Sequence, residues 1–185
     1  AQQFFDAFEL ARKCGFDNIN TDLIAGLPTD TPESFKNSLD SIVRLNAECI
    51  TVHTLCMKRA SRLTTEGVTL DLQQARDARE MLAYTQNILG QNEYIPYYMY
   101  RQSRMVGNLE NVGWSKKGFE SLYNVYVMDE THTILACGSG GVTKLKRNNP
   151  DYLERIFNFK YPYEYIYRFD ELIQRKSGIM QFYGQ

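Results

Sequence analysis

Two hydrophobic periods alternate along the first half of the chain. The segment 19–25 changes face at every residue, which places Asn20, Asp22 and Ile24 on one side of a predicted strand. In the segment 32–45 the apolar positions recur every three or four residues instead, as is typical of an amphipathic helix. The pattern therefore predicts a strand with a carboxylate in its middle, followed by a helix.

A second strand and two more helices complete this pattern. Residues 49–57 are rich in β-branched side chains and predict a strand one βαβ repeat after the first, so the two strands should be parallel neighbours joined by a right-handed crossover. Helices are predicted at the start of the chain, up to about Lys13, and at 72–89, where Gly90 can end the helix. The predicted fold class is α/β with a parallel sheet.

The second half of the chain is less regular. A third strand is predicted at 94–101, where Pro96 favours an edge position or a bulge. The glycine- and asparagine-rich segment 107–118 predicts a long functional loop. The segment 122–135 is ambiguous, with a strand followed by a helical turn favoured over a helix. The remaining predictions are paired strands at 142–145 and 155–160 and a helix at 163–175.

Composition limits the classes of function. The chain has 185 residues, of which 43% are hydrophobic and 23% charged, as expected of one globular domain with a buried core. Its net charge of −1 gives no basic field, so we expect neither a nucleic-acid nor a membrane partner. No apolar run approaches the length of a membrane span. Four widely spaced cysteines indicate free thiols in a reducing compartment, and we expect a cytoplasmic protein without a metal site of its own.

Several groups are candidates for chemistry, each with a structural alternative. Asp22 precedes the loop at the carboxyl end of its strand, where active sites of parallel sheets collect, but a buried Asp paired with Lys or Arg fits equally well. The glycine cluster 138–141 can wrap an anion or form a tight turn. His53 and His132 are too isolated to lead a metal site. One basic set suits a poly-carboxylate ligand or a solvated surface: Lys58, Arg59, Arg62, Arg101 and Arg104.

A longer motif carries a resemblance to a known family. The segment Asn20-Thr21-Asp22-Leu23-Ile24-Ala25-Gly26-Leu27-Pro28, continued by Thr31, Ser34 and Phe35, resembles a motif of the oxygen-independent coproporphyrinogen III oxidases (dehydrogenases), which are radical S-adenosylmethionine enzymes. The segments 96–102, 105–113 and 134–142 are similar to the HemZ-type branch of that family. The resemblance covers essentially the whole chain.

The resemblance implies a fold and a set of cofactor contacts. It implies the second half of a partial (β/α)₆ radical SAM barrel in residues 1–100 and a carboxyl-terminal extension in residues 101–185. Asp22 corresponds to the residue that binds the ribose of S-adenosylmethionine, and the backbone at Cys56 to one that passes the adenine. Ile24 and Val142 correspond to apolar positions that line a second S-adenosylmethionine site or the substrate site.

One family feature is absent from this sequence. The Cys-x-x-x-Cys-x-x-Cys triad that binds a [4Fe–4S] cluster does not occur, so the resemblance implies the carboxyl-terminal part of a longer enzyme, with the cluster held by a missing amino-terminal part. We expect this chain alone to be inactive.

The implied reaction is an oxidative decarboxylation. The full-length enzyme would convert two propionates of coproporphyrinogen III to vinyl groups in haem biosynthesis, with help from an electron donor, and we predict that Arg59, Arg62 and Arg101 recognise the propionates. The first alternative is a haem-binding chaperone of the same family that lacks the decarboxylase activity. The second is an unrelated α/β binding module in which the Asp22 motif occurs by chance.

Overall fold

The structure is a computed structural model that describes residues 1–56, 72–101, 105–147 and 152–184. The chain divides into two compact units, Ala1–Ser121 and Leu122–Gln185. The predicted domain boundary at residue 100 falls within the first unit, between two segments that pair in one sheet. The family domains assigned to 1–100 and 101–185 therefore stay a prediction.

The elements of the first unit occur in the following order: α1 Gln2–Lys13, β1 Asn20–Ala25, α2 Pro32–Leu45, β2 Cys49–Thr54, α3 Leu72–Gln91, β3 Tyr94–Tyr100, a short 3₁₀ helix Val106–Asn108, and β4 Asn111–Lys116. The second unit contains α4 Leu122–Asp129, β5 Val142–Lys146, β6 Leu153–Phe157, α5 Pro162–Tyr167, α6 Phe169–Lys176 and α7 Gly178–Tyr183. No helix among the described residues has the length and apolar character needed to cross a membrane.

A four-stranded sheet in the order β1-β2-β4-β3 forms the centre of the first unit. The parallel pairing of β1 with β2 is confirmed, in a register that places Asp22 beside Thr51 and Ile24 beside His53. Strand β4 runs antiparallel to both of its neighbours. Strand β3 lies at the edge with an irregularity directly after Pro96, as the proline predicted, since proline cannot donate to a ladder.

Helices α2 and α3 cover one face of this sheet. Helix α2 begins as predicted, with the Thr31 hydroxyl accepting from the Ser34 N–H at 3.2 Å and Pro32 in the first turn. The side chains that both helices contribute to the core are fully or almost fully buried: Phe35, Leu39, Ile42, Met81 and Leu89. The opposite face carries Asp22, which is exposed there.

An ion pair joins three elements at the amino ends of β1 and β2. Arg12 on α1 contacts both carboxylate oxygens of Glu48, at 2.6 and 2.7 Å, and the Ile19 N–H donates to the same carboxylate at 3.0 Å. Burial alone would raise the pKa of Glu48, but these hydrogen bonds outweigh it and hold the pKa below its usual value. Glu48 is therefore ionised and fixes α1 to the entry of the sheet.

The predicted loop at 107–118 is wrong, because half of it, Asn111–Lys116, is strand β4. The Asn111 side chain accepts the Thr54 backbone N–H at 2.7 Å, so the asparagine supports the ladder instead of a turn. Gly113 lies beneath the ring of Tyr98, where a Cβ atom would stand 1.9 Å from a ring carbon. The asparagine and the glycine that indicated a loop are therefore both part of a sheet.

Two predictions in the second unit are also corrected. The first part of 122–135 is helix α4 instead of a strand; none of its side chains is buried, so its apolar residues gave no reliable period. The helix predicted at 163–175 is interrupted at Arg168, where α5 ends and α6 begins. The predicted hairpin is confirmed as β5 paired antiparallel with β6, although β6 spans 153–157 and ends before the predicted residue 160.

Candidate functional site

Polar side chains from neighbouring strands gather on the sheet face opposite helices α2 and α3. Asn20 and Asp22 project from β1, and Thr51 projects toward them from β2. His53 follows on β2, and its imidazole lies next to Asp22. The parallel register of β1 and β2 brings these four residues together, because alternate residues of adjacent strands point to the same side of a sheet.

Asp22 is held by the side chains of Asn20 and His53. The Asn20 amide donates to Oδ1 at 2.7 Å, and His53 Nε2 lies 3.6 Å from Oδ2, which is long for a hydrogen bond. The interaction with His53 lowers the pKa of Asp22 most, although partial burial opposes it. The Asp22 side chain is 57% exposed. The alternative of a buried Asp paired with Lys or Arg is therefore wrong, and an ionised, accessible carboxylate faces solvent.

This carboxylate keeps room for a ligand. An ionised carboxyl group offers roughly four acceptor positions. Asn20 takes one position on Oδ1 and His53 approaches Oδ2. Thr51 also contributes a hydrogen bond that lowers the pKa of Asp22, so three side chains approach the carboxylate, which stays 57% exposed to a further donor.

The other predicted cofactor contacts have the following places. Ile24 is 42% exposed on the same face as Asp22, one alternation further along β1. Cys56 directly follows β2, is partly buried, and forms an isolated antiparallel bridge with Met105. Val142 is the first residue of β5 and belongs to the second unit.

The predicted substrate contacts are only partly visible. Arg59 and Arg62 lie outside the described residues. Arg101 follows β3 and forms an exposed ion pair with Glu110 at 2.6 Å, so its charge is balanced within the first unit. Whether these three residues recognise a poly-carboxylate stays a prediction.

The glycine cluster 138–141 forms a turn. The N–H groups of Gly138, Gly140 and Gly141 donate to the Tyr165 hydroxyl, the Phe159 carbonyl and the Gly138 carbonyl, respectively. Three N–H groups that an anion would need are therefore already used, which favours the structural alternative for this cluster.

Metal-binding side chains do not converge in the parts of the chain that the structure describes, where no three His, Cys, Asp or Glu residues form a group that could hold an ion. Cys49 is buried, and its thiol contacts the Phe119 carbonyl at 3.0 Å. Burial raises the pKa of this thiol, which keeps it protonated and unsuited to metal binding.

Several residues around Asp22 were not predicted from the sequence. Asn20 shares the face of Asp22 in the alternation pattern, but nothing in that pattern indicated its hydrogen bond to the carboxylate. Tyr98 reaches Thr51, with 3.2 Å between the two hydroxyl oxygens, and the Tyr100 hydroxyl lies 3.4 Å from His53 Nδ1. Strand β4 separates β2 from β3, so no local sequence period could have paired these tyrosines with β2.

Known proteins show similarity in both sequence and structure. The chain is 35% identical over 180 residues to the oxygen-independent coproporphyrinogen-III oxidase-like protein HemZ of Bacillus subtilis, covering 97% of this chain and 36% of that protein. It is 30% identical over 156 residues to the heme chaperone HemW of Lactococcus lactis, covering 80% of this chain and 37% of that protein. No protein-family profile matches.

A solved structure supports the fold. The coproporphyrinogen III oxidase HemN of Escherichia coli, a radical SAM enzyme, superposes with a TM-score of 0.60 at 19% identity, over 91% of this chain and 37% of that one. The chain thus spans little more than a third of the length of each of these relatives. The predicted resemblance is confirmed: this chain is related in sequence to the HemZ-like coproporphyrinogen oxidases and shares the α/β fold of a radical SAM coproporphyrinogen III oxidase over the part it spans.

Proposed function

We propose that the chain is part of an oxygen-independent coproporphyrinogen III dehydrogenase and contributes a binding face for S-adenosylmethionine. The observation that carries this proposal is the Asp22 carboxylate, which is exposed, ionised, and held in place by the side chains of neighbouring residues on β1 and β2. Asp22 also lies within the motif that resembles the family.

The residues on this face fit the cofactor. The ribose of S-adenosylmethionine presents two adjacent hydroxyl donors, and an exposed, ionised carboxylate such as Asp22 is a hydrogen-bond acceptor suited to them. Exposed Ile24, further along the same strand, offers apolar surface beside the sugar. Together with a [4Fe–4S] cluster held elsewhere in the longer protein, bound S-adenosylmethionine would supply the radical chemistry. The residues of this chain would bind S-adenosylmethionine and orient it.

The proposed substrate is coproporphyrinogen III, of which two propionates lose CO₂ to become vinyl groups. Reductive cleavage of S-adenosylmethionine would require an electron donor, and the electron left after hydrogen abstraction from each propionate would pass to an electron acceptor. Arg59, Arg62 and Arg101 are proposed to bind propionates, since the planar guanidinium pairs with a carboxylate through two hydrogen bonds. Arg101 would exchange Glu110 for a propionate, which is feasible because an exposed ion pair contributes only about 0–1 kcal/mol.

A haem chaperone is the second candidate. The similarity to two proteins named heme chaperone HemW, at 30% identity over 156 residues and 39% over 54 residues, favours it specifically. The two candidates share the fold and differ in the reaction, so a comparison of haem titration with coproporphyrinogen turnover by the full-length protein separates them.

The test uses the full-length protein, anaerobically reconstituted and supplied with coproporphyrinogen III, S-adenosylmethionine and a reductant. We expect protoporphyrinogen as the product, and at least a tenfold slower rate for Asp22→Asn. The exposed Asp17→Asn is the matched control and should retain the wild-type rate. Tight haem binding without turnover would favour the chaperone, and equal rates for wild type and Asp22→Asn would refute the role of Asp22.

A further inference from the structure

Two chains of polar contacts run across the sheet and end on Asp22. In the first, the Thr51 hydroxyl donates to the Asn20 carbonyl oxygen at 3.1 Å, and the Asn20 amide donates to Asp22 Oδ1 at 2.7 Å. Either hydroxyl could donate across the 3.2 Å between Thr51 and Tyr98, but Thr51 has only one proton, so when it donates to Asn20 the Tyr98 hydroxyl is the donor to Thr51. The first chain therefore begins at the phenol of Tyr98.

The second chain begins at the phenol of Tyr100. The Tyr100 hydroxyl lies 3.4 Å from His53 Nδ1, and His53 Nε2 lies 3.6 Å from Asp22 Oδ2. A neutral imidazole that accepts at Nδ1 carries its proton at Nε2, on the side of Asp22. Both separations exceed those of the first chain, so the Tyr100 chain is the looser of the two.

The two tyrosines form one rigid unit over a glycine. Their rings stack with a centroid distance of 6.3 Å and an interplanar angle of 6°. The ring of Tyr98 crosses β4 at Gly113, where a Cβ atom would lie 1.9 Å from it. Only glycine at this position lets Tyr98 lie flat and reach Thr51 on the far strand. Burial raises the pKa of both phenols, so both remain protonated donors.

We infer that Tyr98 and Tyr100 are positioning residues that fix the rotamer of the Asp22 carboxylate, Tyr98 through Thr51 and Asn20, and Tyr100 through the tautomer of His53. Neither tyrosine contacts Asp22 directly, and Gly113 provides the space that the pair requires. That the ligand of Asp22 is S-adenosylmethionine rests on the proposed function. The contact network itself does not.

Positioning matters here because Asp22 is exposed. A carboxylate on an open sheet face loses side-chain entropy when a ligand selects one rotamer, and prior fixation removes part of that loss. The tautomer of His53 also decides whether the imidazole attracts or repels the Asp22 carboxylate. If His53 carried its proton at Nδ1, the lone pair of Nε2 would face the Asp22 carboxylate and repel it. A Tyr100 hydroxyl that donates to Nδ1 disfavours that state, because the donation needs the lone pair of Nδ1.

The first test reads the network without any ligand. The chain has two histidines, so ¹⁵N-histidine labelling of the 185-residue chain, with His132→Gln for assignment, resolves the ring nitrogens of His53. At a pH where the imidazole is neutral we expect the Nε2–H tautomer in the wild type and a larger Nδ1–H fraction in Tyr100→Phe. An Nδ1–H wild type, or a tautomer that Tyr100→Phe leaves unchanged, would overturn the Tyr100 chain.

The second test measures affinity for S-adenosylmethionine in the full-length protein by calorimetry. Tyr98→Phe keeps the ring over Gly113 and removes only the hydroxyl, so we expect binding to weaken about three- to tenfold, the usual effect of one lost hydrogen bond. Thr51→Val should weaken binding by the same factor, and the double variant should weaken it no further, because both act through one chain. Tyr167→Phe, at an 86% exposed tyrosine, is the control.

The outcomes separate this inference from the proposed function. A wild type that does not bind S-adenosylmethionine but shows the Nε2–H tautomer refutes the proposed ligand and leaves the network intact. Normal affinity in Tyr98→Phe and Thr51→Val, with a wild type that binds, overturns the Tyr98 chain. Fully additive losses in the double variant overturn it as well.

Discussion

The function of a single carboxylate depends here on the groups that surround it. Asp22 has no lysine or arginine beside it among the described residues; an amide and an imidazole hold it instead. A guanidinium would occupy both oxygens, whereas Asn20 takes one acceptor position and His53 approaches the other oxygen. The side chain is thereby fixed and ionised, and remains available to a neutral donor such as a sugar hydroxyl.

Replacing Asp22 by Asn in the full-length protein should weaken S-adenosylmethionine binding by about 1.5–3 kcal/mol, the typical contribution of hydrogen bonds to a charged group. The amide offers one acceptor oxygen where the carboxylate offers two. Calorimetry gives the affinity, and iron analysis should show an unchanged cluster content. Equal affinities in wild type and variant would exclude Asp22 as a ribose ligand.

Arg101 and Glu110 allow a test of propionate recognition in both directions. Arg101→Gln should raise KM for coproporphyrinogen more than it lowers kcat, because it removes binding that ground state and transition state share. Glu110→Gln releases the guanidinium from its 2.6 Å ion pair and should lower KM. Steady-state kinetics of the full-length protein measures both, and an unchanged KM in both variants would make Arg101 a solvated surface charge.

At the scale of elements, the sequence predicted well those helices and strands whose determining residues lie close together in the chain. Helix α2 has its predicted bounds because Thr31 caps it, Pro32 is its first residue, and the apolar stripe lies within it. Strand β4 was missed because the contacts that explain its residues are made with distant parts of the sequence. The Asn111 side chain accepts from the Thr54 N–H, and Gly113 leaves room for the ring of Tyr98. The alternation of Val112 and Trp114 was the available indication of a strand.

The candidate site shows the same division. The face of Asp22 followed from the alternation within β1, and its parallel neighbour followed from the length of the βαβ repeat. The tyrosines did not, because β4 inserts between β2 and β3 and brings Tyr98 to Thr51 through a pairing that no period encodes. Contacts across three strands are a property of the folded sheet.

Glu48 gives a prediction at this scale, because it ties α1 and the start of β1 to the start of β2. Glu48→Gln should lower the free energy of unfolding by about 1.5–3 kcal/mol at pH 7. The pKa of Glu48 is lowered in the fold, so its contribution is complete above the ordinary value of 4.5 and disappears as the pH falls below it.

Urea unfolding at pH 7 and in steps below pH 4.5 measures this difference. The matched control is Glu9→Gln, which alters an exposed contact with Lys13 at 3.7 Å and should change little. A destabilisation by Glu48→Gln that persists unchanged into acid would show that the carboxylate charge is not the cause.

At the scale of the whole molecule, our proposal assigns a binding surface to this chain and the cluster that starts the radical reaction to another part of a longer protein. The comparisons place it over little more than a third of its relatives' length. The described residues contribute Asp22 and its network, the βαβ frame that orients them, and a second unit with its own hairpin. Within the described residues, β1 pairs only with β2, so its outer edge is open. An open edge favours association with another strand.

The 185-residue chain, purified alone and reconstituted anaerobically with iron and sulfide, should therefore bind no [4Fe–4S] cluster. Its four thiols belong to separated segments: Cys14 follows α1, Cys49 is buried with its thiol engaged, Cys56 follows β2, and Cys137 lies in the second unit. A cluster needs thiolates that close around it, and burial keeps the Cys49 thiol protonated. We expect much less than one cluster per chain by iron and sulfide analysis, no cleavage of S-adenosylmethionine under dithionite, and association detectable by light scattering. Four iron and four sulfide per chain, with deoxyadenosine released, would contradict this prediction, while a monomer without a cluster would contradict only the expected association at the open edge of β1.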